Sequence, residues 1–269
     1  MLKNRLIFTL LYQNQNFMLS RNFKLQKVGD INWIKESFDY DAIAHSIDEL
    51  IILNVETNKN NLESFCNSLK EITKQYFMPI SAGGGIKSIA DAYKIIDCGV
   101  DKLVINSILF SNPDLVKELI KIFGSQCIVA SIDYKIIDHQ TIVLFNNATS
   151  VSNFDLYSAC KYVEELGVGE IYLTSINHDG TGEGFDWENI SKIVNNISIP
   201  LIASGGAGRF DHFIKAYQEC KVSGASTADL FNFMGDGLSE CRKEIIANGI
   251  PMAKWDLDFF KNNTSSNDQ

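Results

Sequence analysis

The chain has 269 residues, 45% of them hydrophobic, with four prolines and a formal net charge of −9; its pI is near 5.0. This length and apolar content suffice for one buried core, and α/β barrels run to this size as single domains. The acidity, without a cluster of Lys and Arg, excludes a nucleic-acid surface, and no run reaches the roughly 18 apolar residues of a membrane helix.

Met1 to Leu11 is basic and then apolar, and it runs into the polar Tyr12-Gln13-Asn14-Gln15-Asn16 without a small-residue cleavage site. It reads as a first strand, Arg5 to Leu10, and not as a signal peptide. Further apolar runs predict strands at Glu49 to Val55, Met78 to Ala82, Lys102 to Asn106, Ile128 to Asp133, Glu170 to Thr174 and Pro200 to Ser204. Several are continuous, as parallel strands covered on both faces are. An eighth, Val222 to Ala225, is required by symmetry. Helices lie between them. Ser88 caps one that Gly99 closes, Asn112-Pro113 starts another, and Phe154 to Leu166 carries Leu156, Cys160 and Val163 on one stripe before Gly167. Alternating strands and helices give βα units, and eight of them close as an α/β, (β/α)8 TIM barrel over residues 1–258. Residues 259–269 form a polar C-terminal tail. Six cysteines, Cys66, Cys98, Cys127, Cys160, Cys220 and Cys241, lack any Cys-x-x-Cys spacing. They read as free thiols, several of them buried, in a reducing cytoplasm. No cofactor and no metal is expected.

A glycine cluster occurs twice, as Ala82-Gly83-Gly84-Gly85-Ile86 and Ser204-Gly205-Gly206-Ala207-Gly208. Each stands where a buried strand passes into a helix, so backbone N–H groups can approach an anion. The repetition points to two phosphate cradles, around Gly84 and Gly85 and around Gly205 and Gly206, and to an internal half-barrel repeat. Asn106 and Ser107 end the fourth strand and either donate to a phosphate beside the first cradle or cap their strand. Asp133 ends the fifth strand and faces the barrel mouth. A charge there is costly unless used or paired, so it has a catalytic or substrate-orienting role or satisfies a cap or loop. Asp179, in the loop Thr174 to Gly182, either binds hydroxyls and moves protons or only forms an Asp-Gly turn. At the opposite strand ends Arg5, Glu49, Lys102 and Glu170 alternate in sign, as an ion-pair gate or as a stabilising ring.

Together with Phe123-Gly124-Ser125-Gln126 and Leu173 to Thr181, these features resemble the cyclase subunit of imidazole glycerol phosphate synthase, the HisF family, over about residues 1 to 255. The resemblance implies a HisH-like glutaminase on the N-terminal face in a heterodimer, with Asp101 and Gln126 at or near the contact. It further implies ammonia passing a salt-bridge gate, carried onto Arg5, Glu49, Lys102 and Glu170, and a bisphosphorylated ribosyl substrate cleaved and cyclised at the other end. Family cyclases pair aspartates ending the first and fifth strands. Here Asp133 is present, but Leu11 stands at the first position, Leu19 at that of a nearby lysine, and Asn54 at that of the second-strand aspartate. Ala228-Asp229 aligns with a small Ala-Ser stretch by the second cradle, where an inward carboxylate would repel phosphate.

An intact gate with an eroded cyclase end looks more like the diverged HisF-like proteins associated with glycosyl amidation in surface-polysaccharide pathways. Those resemble conduits that deliver ammonia to a sugar amidotransferase. Two other readings stay open. One is an orthodox cyclase and lyase of histidine biosynthesis, acting through Asp133 and Asp179 on a phosphorylated small molecule. The other is a non-catalytic scaffold for the glutaminase.

Overall fold

The computed structural model describes residues 3–37, 46–56, 62–75, 78–229 and 236–253. Among them run twelve strands, beginning with β1 (Arg5–Gln13), β2 (Asn16–Arg21), β3 (Lys24–Gly29), β4 (Glu49–Asn54), β5 (Ile80–Gly83) and β6 (Lys102–Ile105). They continue with β7 (Ile128–Ile137), β8 (Gln140–Phe145), β9 (Ser150–Val151), β10 (Glu170–Ser175), β11 (Leu201–Ser204) and β12 (Gly224–Thr227). Eight of them, β1, β4, β5, β6, β7, β10, β11 and β12, pair in parallel in that order, and β12 pairs with β1 to complete the circuit. This is the (β/α)8 barrel expected from the alternating runs. The strands are apolar on both faces because helices cover the outside and side chains fill the inside.

Several sequence boundaries shift by a few residues, each for a local reason. The helix expected from Phe154 begins at Leu156, because Asp155 caps it by accepting from Ser158 N at 2.8 Å. Gly167 ends that helix at φ +94°. The eighth barrel strand starts at Gly224 and not at Val222, since Lys221 takes φ +60° and Val222 N still bonds to Ala216 O. Ser88 and Asn112 cap their helices, accepting from Asp91 N and Leu115 N. Cys127 is half-buried, the other five cysteines are buried, and all six are free thiols. The polar tail from residue 259 lies outside the described residues, and among the described helices none is long and apolar enough to cross a membrane.

Three antiparallel reversals decorate the C-terminal mouth. β1 runs on past the barrel and folds back as β2 and then β3, while β7 folds back as β8. Three two-residue turns make these reversals, at Asn14-Gln15, Asn22-Phe23 and Asp138-His139, with both residues of each at φ between +49° and +63°. That is type I′ geometry, whose twist suits an antiparallel pair.

Candidate functional site

The N-terminal mouth is closed by four side chains from four strands. Arg5 Nη1 donates to Glu49 Oε2 at 2.8 Å and to Glu170 Oε2 at 3.2 Å, and its Nη2 bonds Glu170 Oε1. Lys102 Nζ lies 3.1 Å from both oxygens of Glu49 and from Glu170 Oε2. Ser81 Oγ donates to Glu49 Oε1 at 2.5 Å. Glu49 and Glu170 are buried at 1% and 6% exposure. Burial by itself would pull the Arg5 guanidinium down, but Glu170 and Glu49 outweigh it and hold it above its ordinary value. The sequence expectation of an alternating ring is met by all four residues. Asp101 and Gln126, expected at the partner face, are both exposed at this end. Asp101 also accepts from Ile80 N at 2.8 Å, fixing the start of β5.

Two residues further along each strand the interior turns apolar, because side chains on one face recur with period two. Ile7, Ile51, Val104, Val129, Tyr172 and Ile202 pack as a separate cluster inside the barrel. A two-residue step spans about 7 Å, so one layer of side chains lies directly above the ring. Tyr172 crosses this layer and ends in hydroxyls: its OH lies 3.1 Å from Thr9 Oγ1 and 2.8 Å from Ser204 Oγ, and Thr9 Oγ1 lies 2.6 Å from Ser226 Oγ.

Above this layer opens a cavity of about 490 Å3 whose floor reaches Thr9, Val104 and Tyr172. Gly84, Gly85, Asn106, Ser107, Asp133 and Asp179 all line it, so the first cradle and both candidate carboxylates share one space. At Gly84, φ is +101° and a Cβ would sit 2.1 Å from Asn54 O, so only glycine fits. A second cavity of about 320 Å3 is lined by Gly205 and Gly206, with Asp179 between the two. Gly206 has φ +109° and leaves no room for a Cβ beside Gly184 O. The cradles follow β5 and β11, the third and seventh barrel strands, which is the half-barrel relation that the repeated glycines suggested. Leu11 and Asn54 line the larger cavity; Leu19 and Asp229 line the smaller.

Asp133 is buried and accepts from Asn106 Nδ2 at 3.2 Å. Burial first, and then the Asp179 charge, push its carboxyl up to about 7 against the opposing Ser131 hydroxyl. Asn106 also donates to Ser131 O and accepts from Asn146 N, so it braces the end of β7 as well as facing the cavity. Asp179 is more than a turn residue. Its Oδ2 accepts from Ser20 Oγ at 2.5 Å and Phe23 N at 3.0 Å, and its carbonyl takes Asn22 N at 2.9 Å. Burial raises its carboxyl, and the Ser20 and Phe23 bonds oppose that rise. His178 bonds Ser175 Oγ through Nδ1 and lines neither cavity. Sequence reasoning passed over Tyr172 with its hydroxyl partners, and over Arg21 and Lys24, which the β2–β3 hairpin adds to the smaller cavity. It also passed over Glu56 on the wall of the larger one.

A (β/α)8 barrel with paired glycine turns at one mouth and an ion-pair ring at the other defines the class of protein. The profile of the family described as "Histidine biosynthesis protein" matches residues 36–235. A Parasynechococcus marenigrum protein named "Putative imidazole glycerol phosphate synthase subunit hisF2" is 36% identical over 259 residues, 96% of each chain. The imidazole glycerol phosphate synthase subunit HisF of Flavobacterium johnsoniae is 34% identical over 251 residues, covering 93% of this chain and 98% of its own. That of Streptococcus mutans is 33% identical over 252 residues, covering 93% and 99%. The chain belongs to the HisF family of histidine biosynthesis proteins.

Proposed function

We propose that this barrel receives ammonia from a HisH-like glutaminase seated over its N-terminal face and passes it through the ring into the larger cavity, for sugar amidation in surface-polysaccharide synthesis. The observation that carries this reading is the stacking of a complete ring, one apolar layer and a cavity, beneath a mouth that has Leu11 where the resemblance expects a catalytic aspartate. Neutral ammonia crosses an apolar layer at small cost, whereas ammonium would have to shed its water there. Arg5 and Lys102 both bridge the two glutamates. The Lys102 ammonium, however, is a compact point charge on a flexible stem where the Arg5 guanidinium is a rigid planar fork, so Lys102 is the member able to swing aside. A phosphorylated ligand at the Gly84–Gly85 cradle, or at Gly205–Gly206, would hold the acceptor at the exit, and a sugar amidotransferase would complete the reaction.

Lys102→Ala tests the conduit in the assembled complex. Glutamine hydrolysis should continue while transfer of its nitrogen to the downstream product falls about tenfold or more. Equal transfer would leave the barrel a scaffold.

A second reading, the cyclase and lyase of histidine biosynthesis, is favoured by the names of the relatives and by Asp133 and Asp179 sharing one cavity. It requires those two to suffice without a carboxylate at Leu11. Removing one member of an acid/base pair costs about a hundredfold or more. Purified protein given the ribulosyl aminoimidazole carboxamide substrate and ammonium salt should therefore show no turnover. A rate of about 1 per second or more, typical of enzymes, would establish the cyclase and end the amidation reading.

A further inference from the structure

We propose that Glu56 makes the larger cavity a site for a phosphorylated ligand that also carries a protonated amine, an amino sugar phosphate, with the Glu56 carboxylate taking the ammonium. Glu56 follows β4 and lines the cavity. Its backbone N–H is spent on Asn54 Oδ1 at 3.1 Å. Its Oε2 is buried without a hydrogen-bond partner, and no other buried side-chain nitrogen or oxygen among the described residues is left so.

A buried carboxylate oxygen without a donor is costly, and natural folds keep few of them, so this one points to a donor that arrives with a ligand. The neighbouring side chains do not supply it. Asn147 Nδ2 and Gln13 Nε2 both donate instead to the adjacent Val55 carbonyl, at 3.1 and 3.5 Å. Lys87 lines the same cavity but forms no ion pair among the described residues. An acceptor-only group cannot bind phosphate, and a carboxylate pairs more strongly with a charged N–H than with a neutral hydroxyl.

The same wall carries the opposite chemistry. Gly84 and Gly85, at φ +101° and +82°, line the cavity without side chains to screen their backbone, and Lys87 adds a cation beside them. Leu11 and Leu53 line the cavity as well and compete for neither charge. One anion subsite and one ammonium subsite in a single cavity complement a zwitterion. This proposal concerns the cavity alone and does not depend on ammonia crossing the barrel.

Calorimetric titration of the full chain at pH 7 with inorganic phosphate, and with the 1- and 6-phosphates of glucose and glucosamine, tests it. For one isomer at least, the amino sugar should bind about tenfold tighter than its hydroxyl counterpart. Glu56→Gln, equal in shape, should bring that pair to equal affinity without weakening inorganic phosphate, and its Tm should be no lower than that of the unmodified protein. Three results would overturn the proposal: no preference for the amine, a preference that survives Glu56→Gln, or no binding by any of the five probes. Survival in particular would assign the amine to another carboxyl of the cavity, Asp133 or Asp179.

Discussion

At the N-terminal end of the barrel every charge has its partner inside the chain: Arg5 and Lys102 each bridge Glu49 and Glu170, and Ser81 takes a further lone pair of Glu49. At the C-terminal end the polar groups are spread around open space, two carboxyls are held above their ordinary range, and leucines stand among them. A satisfied ring has one favoured arrangement and asks for nothing from outside the chain. The other mouth has raised carboxyls, glycine turns and an unpaired Glu56 oxygen around its cavities, so its polar groups are not all matched within the described residues.

Removing one anion from the ring should have the largest effect on stability. Glu49→Leu leaves Arg5 and Lys102 facing a single carboxylate. Breaking a buried pair from one side typically costs about 3–5 kcal/mol. Both cations retain about a fifth of their side-chain exposure, at 22% and 21%, which places the expected loss near the lower figure. Urea unfolding should show a lowered midpoint with an unchanged slope. A neutral result would mean that the ring is held by the strands and contributes little itself.

The open end should instead reveal itself through pH. Asp133 titrates near 7 in the folded chain and near 3.8 as an unperturbed carboxyl, so between those values the folded state binds more protons than the unfolded one. Stability from this group is therefore fully present below about pH 4 and is lost as pH rises through about 7, by up to about 4 kcal/mol. Asp179, shifted in the same direction, adds to the trend. Asp133→Asn should flatten the fall in urea midpoint between pH 4 and 8. The ring contributes no such slope through Arg5, whose pKa is raised still further above neutrality.

How much of this was legible in the sequence follows from how local each signal is. The barrel strands stood out because a strand buried on both faces is a continuous apolar run, and the ring stood out because a charge opening such a run is conspicuous. The hairpins at the mouth did not. Their type I′ turns are Asn-Gln, Asn-Phe and Asp-His, without the glycine that marks such turns, so only the leading Asn or Asp hinted at φ above zero. The hydroxyl cluster was invisible for another reason. Thr9 and Ser226 are 217 positions apart, and only closing the circuit from β1 through β12 brings them together. Asp179 was read as a turn or an acid/base group, and the two bonds of its carboxylate to the hairpin could not be foreseen before the hairpin was.

Those two bonds give the smallest effect and the finest distinction between the ends. Ser20→Ala removes one hydrogen bond to a carboxylate while Phe23 N keeps its own. A charge-assisted bond contributes about 1.5–3 kcal/mol, and the remaining donor together with solvent at the rim should bring the loss to about 1 kcal/mol. The loss should be local, because among the described residues β2 and β3 join the sheet through β1 alone and hydrogen-bond to the loop carrying Asp179. Hydrogen exchange should quicken for amides of residues 16–29, whereas those of β5 to β7 should keep their rates. If the whole barrel quickened equally, the hairpin would be part of the cooperative core and the C-terminal mouth as rigidly closed as the ring. If only the hairpin responded, Asp179 would be the latch of a cover that opens and shuts over the two cavities independently of the ring beneath.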